Sequence, residues 1–399
     1  MTTILKKIGI ALLILLVLAG LGYWLGKDAF FQYMGKKFFK DIEDKALAEA
    51  FRGVETSTGK EIGMFPIQST GVSTAPIKQA AEALLNSLGD EMREEIQFEI
   101  DDIEWRMWSN VDNGIYERQG VSLKDMDADQ KSAAFKLMQE SLSAKGLQLS
   151  KDIMKTDQTL RELNNNEDFF DEELYFFTFM GTPSETEPWG WQLDGHHLII
   201  NYFILGDQVV MTPTFMGGEP IITTTGKYKG NTLFQDEQNI GLAFMQSLPP
   251  ELQKEATISP EKTRNNNQGE FAKDNITLDY EGLKASKLSD EHKSALLNLA
   301  FQYISNMRAG HNRVKMEEIE AHWDQTWFAW VGATDEEAVF YYRIHSPVVL
   351  IEFDHQRAVG APTDKKGPTR NHIHTVVRTP NGNDYGKDLL RQHLEDHHH

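Results

Sequence analysis

The sequence contains no cysteine among its 399 residues. Disulfide bonds, thiolate nucleophiles, zinc ribbons and iron–sulfur clusters are therefore excluded, and a bound metal would need histidine, carboxylate or methionine ligands. Positive charge is also scarce, because 40 lysine and arginine residues face 60 aspartate and glutamate residues, for a net charge of −20. Such a chain repels phosphate backbones, and it has no basic stripe interleaved with aromatic residues, so we expect no nucleic-acid partner.

The common catalytic signatures are missing as well. The chain has no phosphate-binding loop, no Gly-x-Ser-x-Gly nucleophile elbow, no His-Glu-x-x-His helix and no dinucleotide-binding fingerprint. It is nevertheless long enough to bury a large core, since 40% of its residues are hydrophobic, and its length alone suggests about two domains. Its chemistry must therefore lie in a less familiar arrangement of side chains.

One long uncharged apolar run occurs near the N-terminus, at residues 8–25. As a helix it would extend roughly 27 Å, enough for one membrane crossing. We therefore predict a transmembrane anchor at residues 1–27, which would give the protein the membrane as a partner. Two lysines precede the run, which predicts a soluble domain on the periplasmic or extracellular side. A cleaved signal peptide is the alternative, because the small residues Ala19 and Gly20 lie within the run.

The rest of the chain divides by its hydrophobic periodicity. Residues 28–75 are predicted to form a membrane-proximal helix and a linker rich in Ser, Thr, Gly and Pro. Residues 76–399 are predicted to form a single α+β domain. Helical spacing prevails up to about residue 146, whereas alternating patterns predict antiparallel strands in several later segments. The predicted strands lie at residues 197–203, 208–214, 326–331, 338–344, 348–353 and 371–378.

An internal duplication is predicted at about residues 127–213 and 288–380. In both units a helix start is followed by an aromatic strand and then by further strands in the same order. The expected fold class is therefore α+β, with two similar helix-plus-antiparallel-strand halves fused in one body behind an N-terminal transmembrane helix. Convergent amphipathic patterning is the alternative explanation, because each matching segment is short.

Several of these segments also resemble the signature stretches of a known family, the domain of unknown function family 3500. The resemblance runs from about residue 80 to the end of the chain and leaves out the predicted anchor. Because the family has no established activity, the resemblance implies that the motifs belong together but does not imply a reaction. The segments that carry it are residues 189–198, 213–215, 341–344, 351–353, 372–375 and 383–386.

Histidines are placed in two short motifs about 180 residues apart. His372 and His374 are two apart in a predicted strand, so their side chains share a face at a spacing of about 7 Å, from which two imidazoles can converge on one ion. His196 and His197 are adjacent and face opposite sides of a regular strand, so only one of them would join unless a bulge redirects the other. We predict a zinc or iron site with these metal ligands; hydrogen-bonded structural histidines are the alternative.

Three charged residues near these motifs are candidate catalytic residues. Glu352 lies in the apolar run at residues 348–353, where an isolated carboxylate would be costly, so it needs a partner. It would serve as the fourth metal ligand or as a general base, while Arg343 and Arg378 would orient an anionic substrate group. Structural ion pairs are the alternative, including a pair between Arg378 and Asp384.

The predicted function is that of a membrane-anchored, exported mononuclear metal enzyme, in which an activated water attacks an ester, an amide or a similar bond of a small molecule. An iron centre would instead support oxidation. Copper storage or delivery without catalysis is one alternative, because Met211 and Met216 lie near the histidines in sequence. A module that binds sugar or apolar ligands in an aromatic cleft is another. That cleft would be lined by Trp189, Trp191, Trp327, Trp330, Tyr341 and Tyr342.

Overall fold

The computed structural model describes residues 27–364 and 366–397. Within these ranges there are ten α-helices: α1 (Lys27–Leu47), α2 (Ala75–Ser87), α3 (Asp90–Ile96), α4 (Ala128–Ser141), α5 (Ala144–Asn164), α6 (Gln235–Ser247), α7 (Pro250–Ala256), α8 (Asp290–Ile304), α9 (His311–Ala321) and α10 (Lys387–His397).

The same ranges contain fifteen strands: β1 (Gly53–Glu55), β2 (Gln97–Phe98), β3 (Val121–Ser122), β4 (Tyr175–Met180), β5 (Trp189–Gly195), β6 (Leu198–Leu205), β7 (Gln208–Val210), β8 (Thr214–Gly218), β9 (Thr257–Ser259), β10 (Asn275–Thr277), β11 (Leu283–Lys284), β12 (Trp327–Gly332), β13 (Phe340–His345), β14 (Leu350–Arg357) and β15 (Pro368–Arg378).

Thirteen of the strands form one large sheet. Its main path runs β11-β12-β13-β14-β15-β8-β6-β5-β4-β2, with β3 beside β4, β7 beside β6 and β9 beside β12. The β2–β4 and β9–β12 pairs are parallel and the others are antiparallel, while β1 and β10 form a separate parallel pair. The sheet is therefore mixed, and the prediction of purely antiparallel halves is wrong.

The central strands are buried on both faces. Every residue of β5 and of β6 is buried, which fits the nearly continuous run of branched and aromatic residues in β6. Helices cover one face, where α5 contacts β6 and β8 and α3 contacts β4. The other face carries buried polar side chains such as Gln192, Arg343 and Glu352, which bond to the loops that follow β2, β9 and β10. This polar face is where the candidate site lies.

Several local predictions are confirmed. The hairpin turn at residues 205–207 joins β6 to β7, and Ser289 caps α8 by accepting a hydrogen bond from the backbone N–H of His292. The strand predicted at residues 371–378 is β15, which begins three residues earlier, at Pro368. These features depend on turn and capping chemistry within a few residues, which explains why they can be read from the sequence.

The predicted fold class must be corrected at the N-terminus. The proposed span at residues 8–25 lies outside the described residues. Among residues 27–364 and 366–397, no helix combines the length and the apolar character that a membrane crossing requires. The described chain is a mixed α+β fold with one large sheet, and the transmembrane helix of the predicted fold class has no support in it.

The strands of the two predicted repeat units lie on opposite sides of β8. Strands β4, β5 and β6 follow one another on one side, and β12, β13 and β14 follow one another on the other. The internal duplication itself stays a prediction. Its position matters for function, because the histidines of the two units meet where β8 and β15 pair.

Candidate metal centre

Three histidines from distant parts of the chain meet on the polar face of the sheet. His372 and His374 share a face of β15, as predicted, whereas His197 lies in the tight turn between β5 and β6. Strand β8 joins them, since it pairs with both β6 and β15, and the backbone N–H of Gly217 donates to the carbonyl of His197 at 2.8 Å. The turn is therefore held directly beside the two strand histidines.

Glycine at position 217 leaves the space that the imidazoles occupy. A Cβ atom there would lie 2.8 Å from the carbonyl oxygen of Ile373 and 3.1 and 3.2 Å from the Cδ2 atoms of His374 and His197. Neither the backbone nor the enclosed rings can retreat far, so a larger residue would push the cluster apart.

The Nε2 atoms of the three histidines converge on one point. The Nε2–Nε2 distance is 3.2 Å for His197 and His372, 2.9 Å for His372 and His374, and 3.2 Å for His374 and His197. Three nitrogens this close together could all lie at a Zn–N bond length of about 2.0–2.1 Å from one ion. These three histidines could therefore hold a metal ion.

Hydrogen bonds at the opposite ring nitrogens orient two of the ligands. Nδ1 of His372 lies 2.6 Å from the carbonyl oxygen of Arg357, and Nδ1 of His374 lies 3.0 Å from Oε2 of Glu270. Both partners are acceptors, so each Nδ1 carries the proton and each Nε2 presents a lone pair. Lone pairs facing one another at about 3 Å repel unless a cation lies between them, and this favours a metal over a purely structural role.

Burial keeps His197 and His372 in the neutral form that binds metals. It lowers the pKa of His197 well below the ordinary value, and nearby His196, His374 and His372 lower it further. The pKa of His372 is also well below the ordinary value, through burial and the proximity of His374. Neutral imidazole is the metal-binding form, so little proton competition is expected at neutral pH.

Glu270 provides a negative charge next to the ligand set. Its burial opposes ionisation, but the hydrogen bond from His374, together with Lys273 and Asn267, outweighs burial and lowers the pKa of Glu270. About a fifth of the Glu270 side chain is exposed, compared with 8% of that of His374. A carboxylate that accepts from a ligand's Nδ1–H makes the imidazole a stronger donor to the metal.

His196 supports the cluster from behind. Its Nδ1 is 2.6 Å from Oδ1 of Asp157, whose other oxygen accepts a 2.8 Å hydrogen bond from the hydroxyl of Tyr175. Its ring stacks on that of His197 with centroids 3.9 Å apart. Burial alone would lower the pKa of His196, but the charge and hydrogen bond of Asp157 raise it above the ordinary value.

The geometry distinguishes the two adjacent histidines. His197 belongs to the group with His372 and His374, and a second group that can hold a metal consists of Asp157, His196 and His197. The prediction that His196 and His197 lie in a regular strand is wrong, because they form the turn after β5. His197 has a φ of 61°, a left-handed conformation that is uncommon for a residue with a side chain and that is often retained at functional sites.

Glu352 and Arg343 have other partners. The Glu352 carboxylate accepts hydrogen bonds from the backbone N–H groups of Gln268 and Gly269 and from the hydroxyl of Tyr341. Arg343 bonds to Glu281 at 2.6 Å, although the strand register places it opposite Glu352. Neither belongs to the group of converging histidines. Their catalytic roles stay predictions.

Arg378 is fully buried in a network of its own. Its Nη1 lies 2.9 Å from Asp274 and 3.0 Å from Asp384, and its Nε donates to the carbonyl of Gly269. The guanidinium lies 5.6 Å from the ring centre of Trp108. The ion pair with Asp384, the alternative to substrate binding, is therefore present in the fold. A direct role for Arg378 with substrate stays a prediction.

The residues behind the copper and aromatic-cleft alternatives lie elsewhere. Met216 pairs with Thr375, so it faces the opposite side of the sheet from His374, and with Met211 it lines a cavity under the helices. Five of the six cleft aromatics are buried, and the other, Trp327, is half-buried. Tyr342 stacks at 6.2 Å from Trp330. These rings pack in the core and form no open cleft.

A first prediction concerns the carboxylate behind His374. Glu270→Ala should weaken zinc binding by about 10–100-fold, because it removes the acceptor that orients the His374 ring. The affinity is to be measured by competition with a chromophoric chelator, using a chain that lacks residues 397–399 so that the terminal histidines do not bind metal. Glu317→Ala, on an exposed position of α9, should leave the affinity unchanged; an equal loss in both variants would contradict the role of Glu270.

A second prediction concerns His345. Burial and the charge of nearby Arg343 lower the pKa of His345 to about 3. The unfolded chain takes up this proton near pH 6.5, so the stability contributed by neutral His345 is complete above pH 6.5 and decreases as the pH falls towards 3. The free energy of unfolding should fall by about 2 kcal/mol less between pH 7 and pH 5 in His345→Phe than in the parent, as measured by urea unfolding. If the variant and the parent lose stability in parallel, neutral burial of His345 is refuted.

Comparisons with known proteins identify one relationship. Residues 70–387 match the family model described as Protein of unknown function (DUF3500). No curated protein and no solved structure matches the chain. The match contains all seven predicted site residues, so the converging histidines lie within the family's own domain.

Proposed function

Because the chain belongs to the DUF3500 family, whose function is unknown, its activity has to be inferred from its own site, and we propose that it is a mononuclear zinc enzyme in which a metal-bound water attacks a small-molecule substrate. The observation that carries this proposal is the set of three Nε2 atoms within 2.9–3.2 Å of one another. Three protein ligands are typical of catalytic zinc, whereas structural zinc sites usually have four.

The fourth position favours catalysis over storage. Within the part of the chain that the structure describes, no further histidine, aspartate or glutamate joins the group of His197, His372 and His374. An ion held there would complete its coordination with water or substrate. Such an ion lowers the pKa of its bound water to about 7, which makes a hydroxide nucleophile available at neutral pH.

The ligand types favour zinc over the other metals considered. Non-haem iron oxygenases usually combine two histidines with one carboxylate, whereas the group of His197, His372 and His374 contains no carboxylate. Glu219 and Glu270 approach the Nδ1 side of its rings. Asp157, which is grouped with His196 and His197, is hydrogen-bonded to His196. Copper in electron-transfer or storage sites usually takes sulfur ligands, and Met211 and Met216 face away from the histidines. Three neutral imidazoles leave the full charge of a divalent ion to polarise water and a substrate oxygen.

The proposed reaction is hydrolysis of an ester, an amide or a similar bond. The nucleophilic oxygen comes from water, the bond between the carbonyl carbon and the leaving group breaks, and the leaving group receives a proton. In this proposal Glu352 is the general base, and Arg343 and Arg378 orient an anionic group of the substrate. For Glu352 to act in this way, its hydrogen bonds from Gln268 and Gly269 would have to rearrange. The exported location is retained as part of the proposal.

The test uses the chain without residues 397–399, freed of metal and reloaded with zinc or cobalt. We expect one ion per chain, a cobalt absorption spectrum typical of four- or five-coordination, and hydrolysis of activated aryl esters that rises with pH through about 7. Glu352→Gln separates the two proposed roles of that residue. Metal retained with activity lost indicates a general base, and metal lost indicates a ligand. One bound ion without hydrolysis of esters, amides or phosphoesters would favour a non-catalytic metal-binding protein.

A further inference from the structure

A cavity of about 410 Å³ lies on the helix-covered side of the sheet, away from the histidine cluster. Its floor includes Thr375 and Val377 of β15, which alternate with the metal ligand His374 and therefore face the other way. The segment before α2, the end of α8 and helix α9 form its walls. The volume falls within the roughly 300–1,000 Å³ of small-molecule binding sites.

Methionines give this cavity its character. Met64, Met211, Met216 and Met307 all line it, although they come from four separate parts of the chain. Methionine side chains are unbranched and polarisable, so a wall built from them can adapt to apolar molecules of different shape. This composition distinguishes the cavity from the tightly stacked aromatic core and favours an apolar occupant.

Buried polar side chains also line this cavity, among them Thr375, Asn383, His311 and Asn306. Asn306 lines the cavity and is 5% exposed, yet its Oδ1 has no hydrogen-bond partner among the residues that the structure describes. Its Nδ2 has only a weak contact with the sulfur of Met216 at 3.7 Å. An unpaired buried amide is unfavourable by about 1–3 kcal/mol, so such groups are rare unless a ligand or a water satisfies them.

The Asn306 amide and the net charge of the chain indicate which polar group the ligand carries. A hydroxyl can donate to Oδ1 and accept from Nδ2 of Asn306, whereas a carboxylate cannot donate to Oδ1. The chain carries a net charge of −20, which disfavours anions further. A neutral alcohol or phenol therefore fits both the unpaired amide and the charge.

We infer that this cavity is a binding site for a small, neutral, apolar alcohol or phenol, with the hydroxyl on Asn306 and the hydrocarbon part against the four methionines. The inference is independent of the proposed enzymatic function, because the cavity and the histidines lie on opposite faces of the sheet. The site binds its ligand whether or not the metal centre is catalytic.

The experiment compares 2-naphthol with naphthalene, which lacks the hydroxyl, on the zinc-loaded chain. Fluorescence titration should show 2-naphthol binding about tenfold more tightly, as expected for one recovered hydrogen bond. Asn306→Leu should remove this preference and leave naphthalene binding within about twofold, while Met307→Trp should abolish binding of both by filling the cavity. Zinc content is measured in each variant and should not change.

A second measurement needs no substitution. With ¹³C-labelled methionine methyl groups, 2-naphthol should shift the resonances of the four cavity methionines and leave those of Met34 and Met92 in place. The inference is overturned if the probe fails to bind up to its solubility limit, if 2-naphthol and naphthalene bind equally, or if the shifted methyl groups lie elsewhere.

Discussion

Replacing His372 and His374 by alanine together is expected to weaken zinc binding by about 10⁴-fold. Structural zinc sites contribute about 10–16 kcal/mol in total with four ligands, which corresponds to roughly 3 kcal/mol for each ligand. The double variant loses two of three ligands, and the remaining His197 cannot hold the ion at micromolar concentration. The metal content of the chain without residues 397–399, measured by mass spectrometry after gel filtration, should fall from about one ion to none.

The fold should survive this change, because little apolar surface is lost with the two rings. Unchanged far-ultraviolet circular dichroism would show this. His355→Ala is the matched control: His355 is also buried on the sheet, but its ring nitrogens contact the backbone N–H of Phe340 and the side chain of Gln238. The metal content of His355→Ala should equal that of the parent. Full metal occupancy in the double variant would refute the proposed centre.

Arg378→Met is expected to destabilise the fold by about 3–5 kcal/mol. The substitution keeps much of the side-chain volume but leaves the buried carboxylate of Asp384 without its counter-ion, and removing one partner of a buried ion pair carries a penalty of this size. Asp274 keeps a counter-ion in this variant, because Arg106 lies 3.0 Å from its carboxylate. Urea unfolding with an unchanged m-value would measure the loss.

The companion variant Arg378→Met/Asp384→Asn separates a structural role from a role in substrate binding. Neutralising Asp384 removes the unpaired charge, so the double variant should recover about 1–3 kcal/mol relative to Arg378→Met. If Arg378→Met retains the stability of the parent and changes only the Michaelis constant, then Arg378 acts on substrate and the network around it is not essential to the fold.

Part of the metal centre can be predicted from the sequence. The two-residue period of a strand places His372 and His374 on one face, and the sequence supports that strand strongly. A local pair such as Arg378 and Asp384, six residues apart, can also be proposed in advance. The apolar run around Glu352 correctly indicates burial. In each case the information lies within a few residues of the side chain concerned.

The rest depends on contacts between distant segments. Asp194-Gly195 is a turn signal, but it precedes the two central turn positions, His196 and His197. It therefore does not show that the strand ends at Gly195 or that His197 takes a left-handed conformation. Glu270 reaches His374 from a loop 104 residues away. The backbone partners of Glu352 lie in the same loop, 83 and 84 residues away. Hydrophobic periodicity does not report such pairings, so these residues could not be assigned beforehand.

The separation of the proposed ligands along the chain predicts that folding precedes metal binding. His197 and His372 are 175 residues apart. An unfolded chain that bound one ion through both would have to close this loop, at an entropic cost of about 5 kcal/mol. An ion bound at the proposed site would therefore discriminate strongly between the folded and unfolded chains, and nearly all of its binding free energy would add to the stability of the folded chain. We therefore expect the apoprotein to fold first and to bind its metal afterwards.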